Sequence, residues 1–274
     1  MEAGEVWNQF DRMVGVPDEE IDLARAALLI AATEYPGLSI ERELFRIDEI
    51  AEGIAARMDD DTPLYQLNTL SEYLFDELKF AGNHTNYHDP RNSFLNDVIE
   101  RRVGIPITLS LLYIEVGRRL GVPLLGIGMP GHFIVRHQDE SDVFVDPFHG
   151  GILLSEDECA ERVKQVTQGT LTWNRSYLEP VRSREFIARM LRNLKVVYLQ
   201  RRNYERVLAT IDRVIALLPQ DAVEFRDRGV VNYRLGNYAD ALEDLHVYVT
   251  SGEAVSDEVT VQRLMDQIRD KLSE

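Results

Sequence analysis

Three polar residues stand in the otherwise apolar middle of this 274-residue chain: Thr108, His132 and Asp146. A histidine that exchanges a proton, oriented by an acid, is the supporting half of a nucleophilic catalytic site. The spacing of His132 and Asp146 suits two strands joined by a hairpin, which lets the two side chains meet across a sheet. The nucleophile is harder to place. Thr108 and Ser110 offer hydroxyls near the start of an apolar helix, where a hydroxyl more often bonds back to its own helix. The only cysteine, Cys159, falls in a later amphipathic segment and reads as a buried structural thiol. The His132–Asp146 pair also has a plain reading, a hydrogen bond tying two strands under the core.

Nitrogen and oxygen donors for a metal exist in His84, His88, Asp89, Asp97, His132, Asp146 and His149. A zinc site needs about three of them to converge. His84 and His88 sit in a polar stretch flanked by Gly82 and Pro90, which reads as a loop and not as a ligand-bearing helix. No metal and no other cofactor is therefore assigned.

The elements that must position these residues come next. Apolar residues recur at helical spacing over 21–32, 40–58 and 64–80, so the first part of the chain reads as helices. Ser39 is an N-cap without a full capping box, and Pro63 takes the first turn of its helix. Residues 82–92 form the polar loop. A short helix follows over 94–102, with Asn92 or Ser93 as its cap and Gly104 as its stop. Pro106 opens an apolar helix that runs to Leu120 and stops at Gly121. The period then shifts toward strands over 124–129, 132–137, 143–145 and 152–154. Ser155 and Glu158 form a capping box for a helix over 157–166. Arg101 and Arg102 are the cations nearest this region, available to a bound carboxylate or to helix C-terminal carbonyls.

From Ser183 onward the pattern is helical and repeats. Leu191, Leu194, Tyr198, Tyr204, Val207, Ile211, Val214 and Pro219, shifted by 34, fall on Phe225, Arg228, Asn232, Tyr238, Ala241, Leu245, Tyr248 and Glu253. Gly229 and Gly236 sit where close helix packing and a turn need small residues. The period resembles the tetratricopeptide repeat, with residues 256–272 as a capping helix.

Thirty basic against 47 acidic residues give 30 − 47 = −17. Such a surface repels phosphate backbones and anionic lipid, which argues against nucleic-acid and membrane partners. No apolar run approaches the ~20 residues that span a bilayer. Residues 1–10 carry acids and no basic region, so they do not read as a signal peptide. One cysteine excludes disulfide frameworks and cysteine-rich zinc sites. The expectation is a cytoplasmic protein.

Four motifs carry a resemblance. Arg102-Val103-Gly104-Ile105-Pro106, Leu120-Gly121-Val122-Pro123, Gly131-His132-Phe133 and Val145-Asp146-Pro147 follow the order and spacing of the transglutaminase-like, papain-type thiol pattern. In that pattern a cysteine follows the glycine by two residues, ahead of the histidine and the aspartate. Laid on this chain, Pro106 falls on the cysteine, His132 on the histidine and Asp146 on the aspartate. The whole run from Asn86 to Cys159, with the repeat tail, resembles the bacterial SirB family. The resemblance implies an α+β, mainly helical fold with a small antiparallel sheet. It places a helical and transglutaminase-like domain over 1–182 and tetratricopeptide-like hairpins over 183–274.

Proline brings no nucleophile and no N–H, so the thiol chemistry is lost at its first step. The expectation is a binding or regulatory protein with a peptide or protein partner. The degenerate triad is Pro106, His132 and Asp146, and Asn92, Arg102, Thr108 and Ser110 are the candidate binding residues. The alternative is a hydrolase or acyl transferase that uses His132–Asp146 with a hydroxyl, water or a metal ion.

Overall fold

The computed structural model describes residues 3–252 and 257–273. Met1, Glu253 and Ser256, which entered the sequence reading, lie outside the described residues. The chain divides into two compact units, 1–190 and 191–274. The fold is α+β and mainly helical.

In the first unit, helices α1 (Ala3–Val14), α2 (Leu23–Ala32) and α3 (Ile40–Ala55) precede α4 (Pro63–Ser71). Asp22 caps α2 by accepting from the Arg25 amide at 2.9 Å, and Ser39 caps α3 by accepting from the Arg42 amide. The helix expected over 64–80 is not uniform. After Ser71 it widens into a π-helical turn over Glu72–Glu77. Tyr113 donates its hydroxyl to the Leu67 carbonyl at 2.7 Å, just before that turn.

A two-residue parallel pair, β1 (Ala81–Gly82) and β2 (Val103–Gly104), brackets the polar loop and helix α5 (Leu95–Arg101). The loop is tighter than its composition suggested. Asp89 caps a 3-10 turn over Pro90–Asn92 by accepting from the Arg91 amide, and Phe94 opens α5 without a side-chain cap. Asn92 and Ser93 do not cap α5. Arg102, not Gly104, ends it, with φ at 58° in the left-handed region. Gly104 is left to pair in β2.

Helix α6 (Pro106–Arg119) is buried from Pro106 through Gly117. Its buried stretch is apolar on most sides, apart from Thr108, Ser110 and Glu115, as befits a helix enclosed nearly all round. It packs on the antiparallel sheet β3 (Leu124–Ile127), β4 (Ile134–His137), β5 (Phe144–Asp146) and β6 (Ile152–Leu154), in that order. Alternation divides the two faces. Val135 and Val145, paired across β4 and β5, join the α6 core. Ile134, Phe144 and Leu154 face a second cluster with Cys159 and Val163 of α7 (Glu156–Val166). Ser155 and Glu158 form the expected capping box at the start of α7.

Helix α8 (Ser183–Gln200) leads into α9 (Tyr204–Leu217), α10 (Ala222–Leu235), α11 (Tyr238–Thr250) and α12 (Glu258–Ser273). Helices α9 and α11 begin 238 − 204 = 34 residues apart, which is the sequence period. A methyl at Gly229 would meet Leu245 Cγ at 2.8 Å, so the glycine permits α10 and α11 to touch. Gly236 ends α10 at φ 83°. Where the second repeat replaces Leu194 and Tyr198 by Arg228 and Asn232, the polar groups are matched. Arg228 bonds Asp244 and Asp212, each at 2.9 Å or less, and Asn232 reaches Asp244 at 3.3 Å.

Candidate functional site

His132 reaches the site from a turn, not from a strand. Gly131 has φ 69°, and the His132 amide donates to the Met129 carbonyl at 3.2 Å. The ladder starts only at Ile134. A guanidinium holds this turn: Arg189 Nη2 on α8 donates to the carbonyls of Met129 and His132 at 2.6 and 2.7 Å. The His132 ring is thereby aimed inward and is only 4% exposed.

Asp146 ends β5, so its position is fixed by sheet register. It is fully buried. Its Oδ2 lies 2.9 Å from His132 Nε2 and 2.8 Å from His149 Nδ1. Its Oδ1 accepts from the His149 amide at 3.3 Å, capping the 3-10 turn Pro147–His149. Arg162 of α7 completes the group. Its Nη1 lies 3.2 Å from His149 Nε2, and its Nη2 lies 3.6 Å from Asp146 Oδ2. Burial alone pushes a carboxyl toward its neutral form. Here the hydrogen bonds from His132 and His149 outweigh burial and hold Asp146 well below the ordinary carboxylate range.

The proton positions follow from these contacts. Asp146 accepts, so His132 donates through Nε2 and His149 through Nδ1. Arg162 only donates, so His149 Nε2 accepts. His132 Nδ1 makes no hydrogen bond to any described residue, and it is not sealed from solvent.

Ligand atoms of His132, Asp146 and His149 lie within 4.8 Å of one another, the spacing a metal ion needs. The donor set does not suit one. A metal on His149 Nδ1 moves the ring proton to Nε2, where it faces the N–H groups of Arg162. The guanidinium also adds positive charge beside the carboxylate. The cluster is a hydrogen-bonded chain, Arg162 to His149 to Asp146 to His132.

The other expected residues are placed as follows. Pro106 is the first residue of α6 and is buried, with its fixed φ suited to that position. The Thr108 hydroxyl accepts from the Ile105 amide at 3.1 Å and lies 2.8 Å from the Asn92 carbonyl. Ser110 donates to the Phe133 carbonyl at 3.4 Å. Both hydroxyls are thus engaged with backbone, and both are fully buried. The Asn92 amide group bonds the carbonyls of Asn86 and Tyr87, so its side chain fastens the polar loop. Arg102 donates to the Leu78 carbonyl at 2.8 Å, and Arg101 lies 3.7 Å from Asp89. Cys159 is buried, and burial first, then the charge of Asp146, pushes its thiol up to about 12.

The polar loop closes over the group with aromatic contacts. The His84 ring lies tilted, its centroid 4.5 Å from that of Phe148 and 5.4 Å from that of His149, and the Tyr87 ring lies 6.1 Å from Phe148. His88 turns toward Tyr87, and Asp97 bonds Tyr35 instead of joining the cluster. Sequence reading did not single out Arg162, Arg189 or Phe148, and it met His149 only as a metal donor. The one local signal was the spacing of three between Asp146 and His149.

The transglutaminase-like superfamily profile matches residues 42–192, just over half of the chain and the whole of this site. The chain belongs to the transglutaminase-like superfamily. A tetratricopeptide repeat profile matches residues 194–269. Among relatives of this transglutaminase-like chain, a UPF0162 protein of Xylella fastidiosa is 38% identical over 250 residues, covering 89% of this chain and 88% of that one. A UPF0162 protein of Vibrio cholerae is 28% identical over 86% of this chain and 90% of its own length. Human F-box only protein 21 is 29% identical over 165 residues, which are 56% of this chain and 25% of that protein. No solved structure matches. Among the described residues of this superfamily member, no helix is long and apolar enough to cross a membrane.

Proposed function

We propose that this transglutaminase-like chain is not a thiol enzyme in its own right but a binding or regulatory protein that recognises a peptide or protein segment. The observation that carries the reading is Pro106 at the first position of α6, where the superfamily pattern has its cysteine. A proline forms no acyl intermediate. No described side chain replaces it. Thr108 and Ser110 spend their hydroxyls on backbone, and the Cys159 thiol is buried and hard to ionise. The tetratricopeptide unit supports the second half of the reading, since such repeats offer surfaces for peptide segments. The order of motifs supports placement in the SirB group. Net charge −17 disfavours nucleic acid and anionic membrane, and a cytoplasmic setting fits the single buried cysteine.

The second reading, a hydrolase or acyl transferase, has one specific observation in its favour: His132 Nδ1 is unbonded while its partner Asp146 is held ionised. A lone His–Asp base contributes on the order of 10²–10⁴-fold. That is well short of the roughly 10⁶-fold typical of enzymes at the low end. Wild-type protein, incubated with amide, ester and glutamine donors, is expected to show no turnover above background, with or without zinc. Turnover that disappears in His132→Ala would reverse the assignment.

A further inference from the structure

The second tetratricopeptide repeat is open where the first is filled. A cavity of about 360 Å³ lies among α9, α10 and α11. That is the size of a small-ligand pocket, about 300–1,000 Å³. Its cause is a change of residues between the repeats. In the first repeat Leu194 and Tyr198 are buried, and the Arg206 guanidinium lies 5.7 Å from the centroid of the Tyr198 ring. One period later Arg228, Asn232 and Asp240 take these three places, and all three line the cavity. Asparagine and aspartate are shorter than tyrosine and arginine, so space is left. The cation that the first repeat supplies from its own chain has become an acid.

The lining is amphipathic. Leu208, Phe225 and Val247 give it apolar walls. Asp212 and Asp244 also face it, but both are engaged by Arg228. Asp240 and Glu243 are not engaged. They are exposed and three positions apart, which sets them on one face of α11. Neither side chain has a hydrogen bond or ion pair to another described residue.

This chemistry selects the guest. Four carboxylates against one arginine repel an anion. An apolar guest would take water from Asp240 and Glu243 and return no partner. A metal ion is no better placed, since among the described residues only His132, Asp146 and His149 bring ligand atoms close enough together. An aliphatic stem that ends in a cation meets both parts of the lining, its stem on the apolar walls and its head at the carboxylates.

We propose that this cavity takes a lysine or arginine side chain from a partner's exposed peptide segment, with Asp240 and Glu243 as the counter-charges. The proposal deepens the peptide-binding reading given above and rests on it.

The test uses the full chain and three short fluorescein-labelled peptides in which alanine alternates with lysine, arginine or glutamate. Anisotropy is read in about 0.15 M salt, where a screening length of about 8 Å suppresses attraction to the net charge at large. The lysine peptide, the arginine peptide or both should bind saturably, and the tighter one identifies the head group. Asp240→Asn with Glu243→Gln should weaken binding at least tenfold. So should Asn232→Tyr, which restores the residue of the first repeat and changes no charge. Glu49→Gln with Glu52→Gln, an equal charge change on exposed positions of α3, should leave binding within twofold. Circular dichroism checks folding, and the Asp240 and Glu243 pair carries the test if Asn232→Tyr does not fold. No saturable binding of either cationic peptide, or equal weakening by the α3 variant, overturns the proposal. Binding of the glutamate peptide that Asn232→Tyr abolishes overturns it too, because the guest is then an anion. The peptide-binding reading fails separately, through turnover that is lost in His132→Ala.

Discussion

His132 Nε2 lies 2.9 Å from Asp146 Oδ2 inside a fully buried carboxylate's coordination shell. The same oxygen serves His149, so the carboxylate joins three chain segments: the 131–132 turn, the end of β5 and the turn after it. Removing one partner from a buried, paired set leaves the others unmatched and typically costs about 3–5 kcal/mol. Asp146→Asn should lose roughly 3 kcal/mol of stability, read from urea unfolding. A loss under about 0.5 kcal/mol, the usual size for surface changes, would show that the shared oxygen is structurally idle.

The pH dependence of that loss has a defined sign. Asp146 is held below the ordinary carboxylate range in the folded state. A depressed carboxyl contributes stability that is fully present above its unfolded pKa of about 3.9 and is lost as pH falls through the folded value. The stability gap between wild type and Asp146→Asn should thus stay level from pH 7 to about 5 and narrow only below about pH 4. A gap that closes between pH 7 and 5 would assign the stabilisation to another group.

Cys159 should be inert while the chain is folded. Burial and the nearby Asp146 charge push its thiol to about 12. The thiolate is the reactive form. Iodoacetamide at neutral pH should label native protein at least tenfold more slowly than urea-unfolded protein, followed by mass spectrometry.

Pro106→Cys, made together with Cys159→Ser, tests what the scaffold retains. The new thiol stands at the first position of α6, where the helix dipole favours a thiolate. Iodoacetamide should label it faster than it labels a free cysteine at the same pH, and adding His132→Ala should slow it several-fold. Labelling that ignores His132 would separate the histidine from the helix start.

Gly229→Val probes the repeat unit independently. The added carbons meet Leu245 Cγ at 2.8 Å and the Ala241 carbonyl at 3.1 Å, and only the leucine end can give way. Overpacking of this kind costs about 1–3 kcal/mol. Thermal melting should drop accordingly, with the site around Asp146 unaffected.

Local rules carry most of the architecture. Helical spacing placed α2, α3 and α6, the Ser155–Glu158 box placed α7, and a period of 34 placed α9 and α11, because each depends on neighbours in the chain. The misplaced boundaries share one cause. Tyr113 bonding back to Leu67 accompanies the π-turn, Arg102 rather than Gly104 ends α5, and Arg189 holds His132 ahead of its strand. Each involves tertiary contacts that local preference does not contain.

The candidate site divides the same way. The order Pro106, His132, Asp146 is written in the sequence, and so is the lack of a thiol at the helix start, because a missing functional group needs no coordinates. Sheet register decided that Asp146 would meet His132, and the turn after β5 decided that His149 would share the same oxygen. The approach of α7 and α8 decided that Arg162 and Arg189 would hold the group in place. Those contacts join residues up to 60 positions apart, and only the packed chain brings such groups within hydrogen-bond reach, where a shared carboxylate and an unbonded ring nitrogen acquire their chemistry.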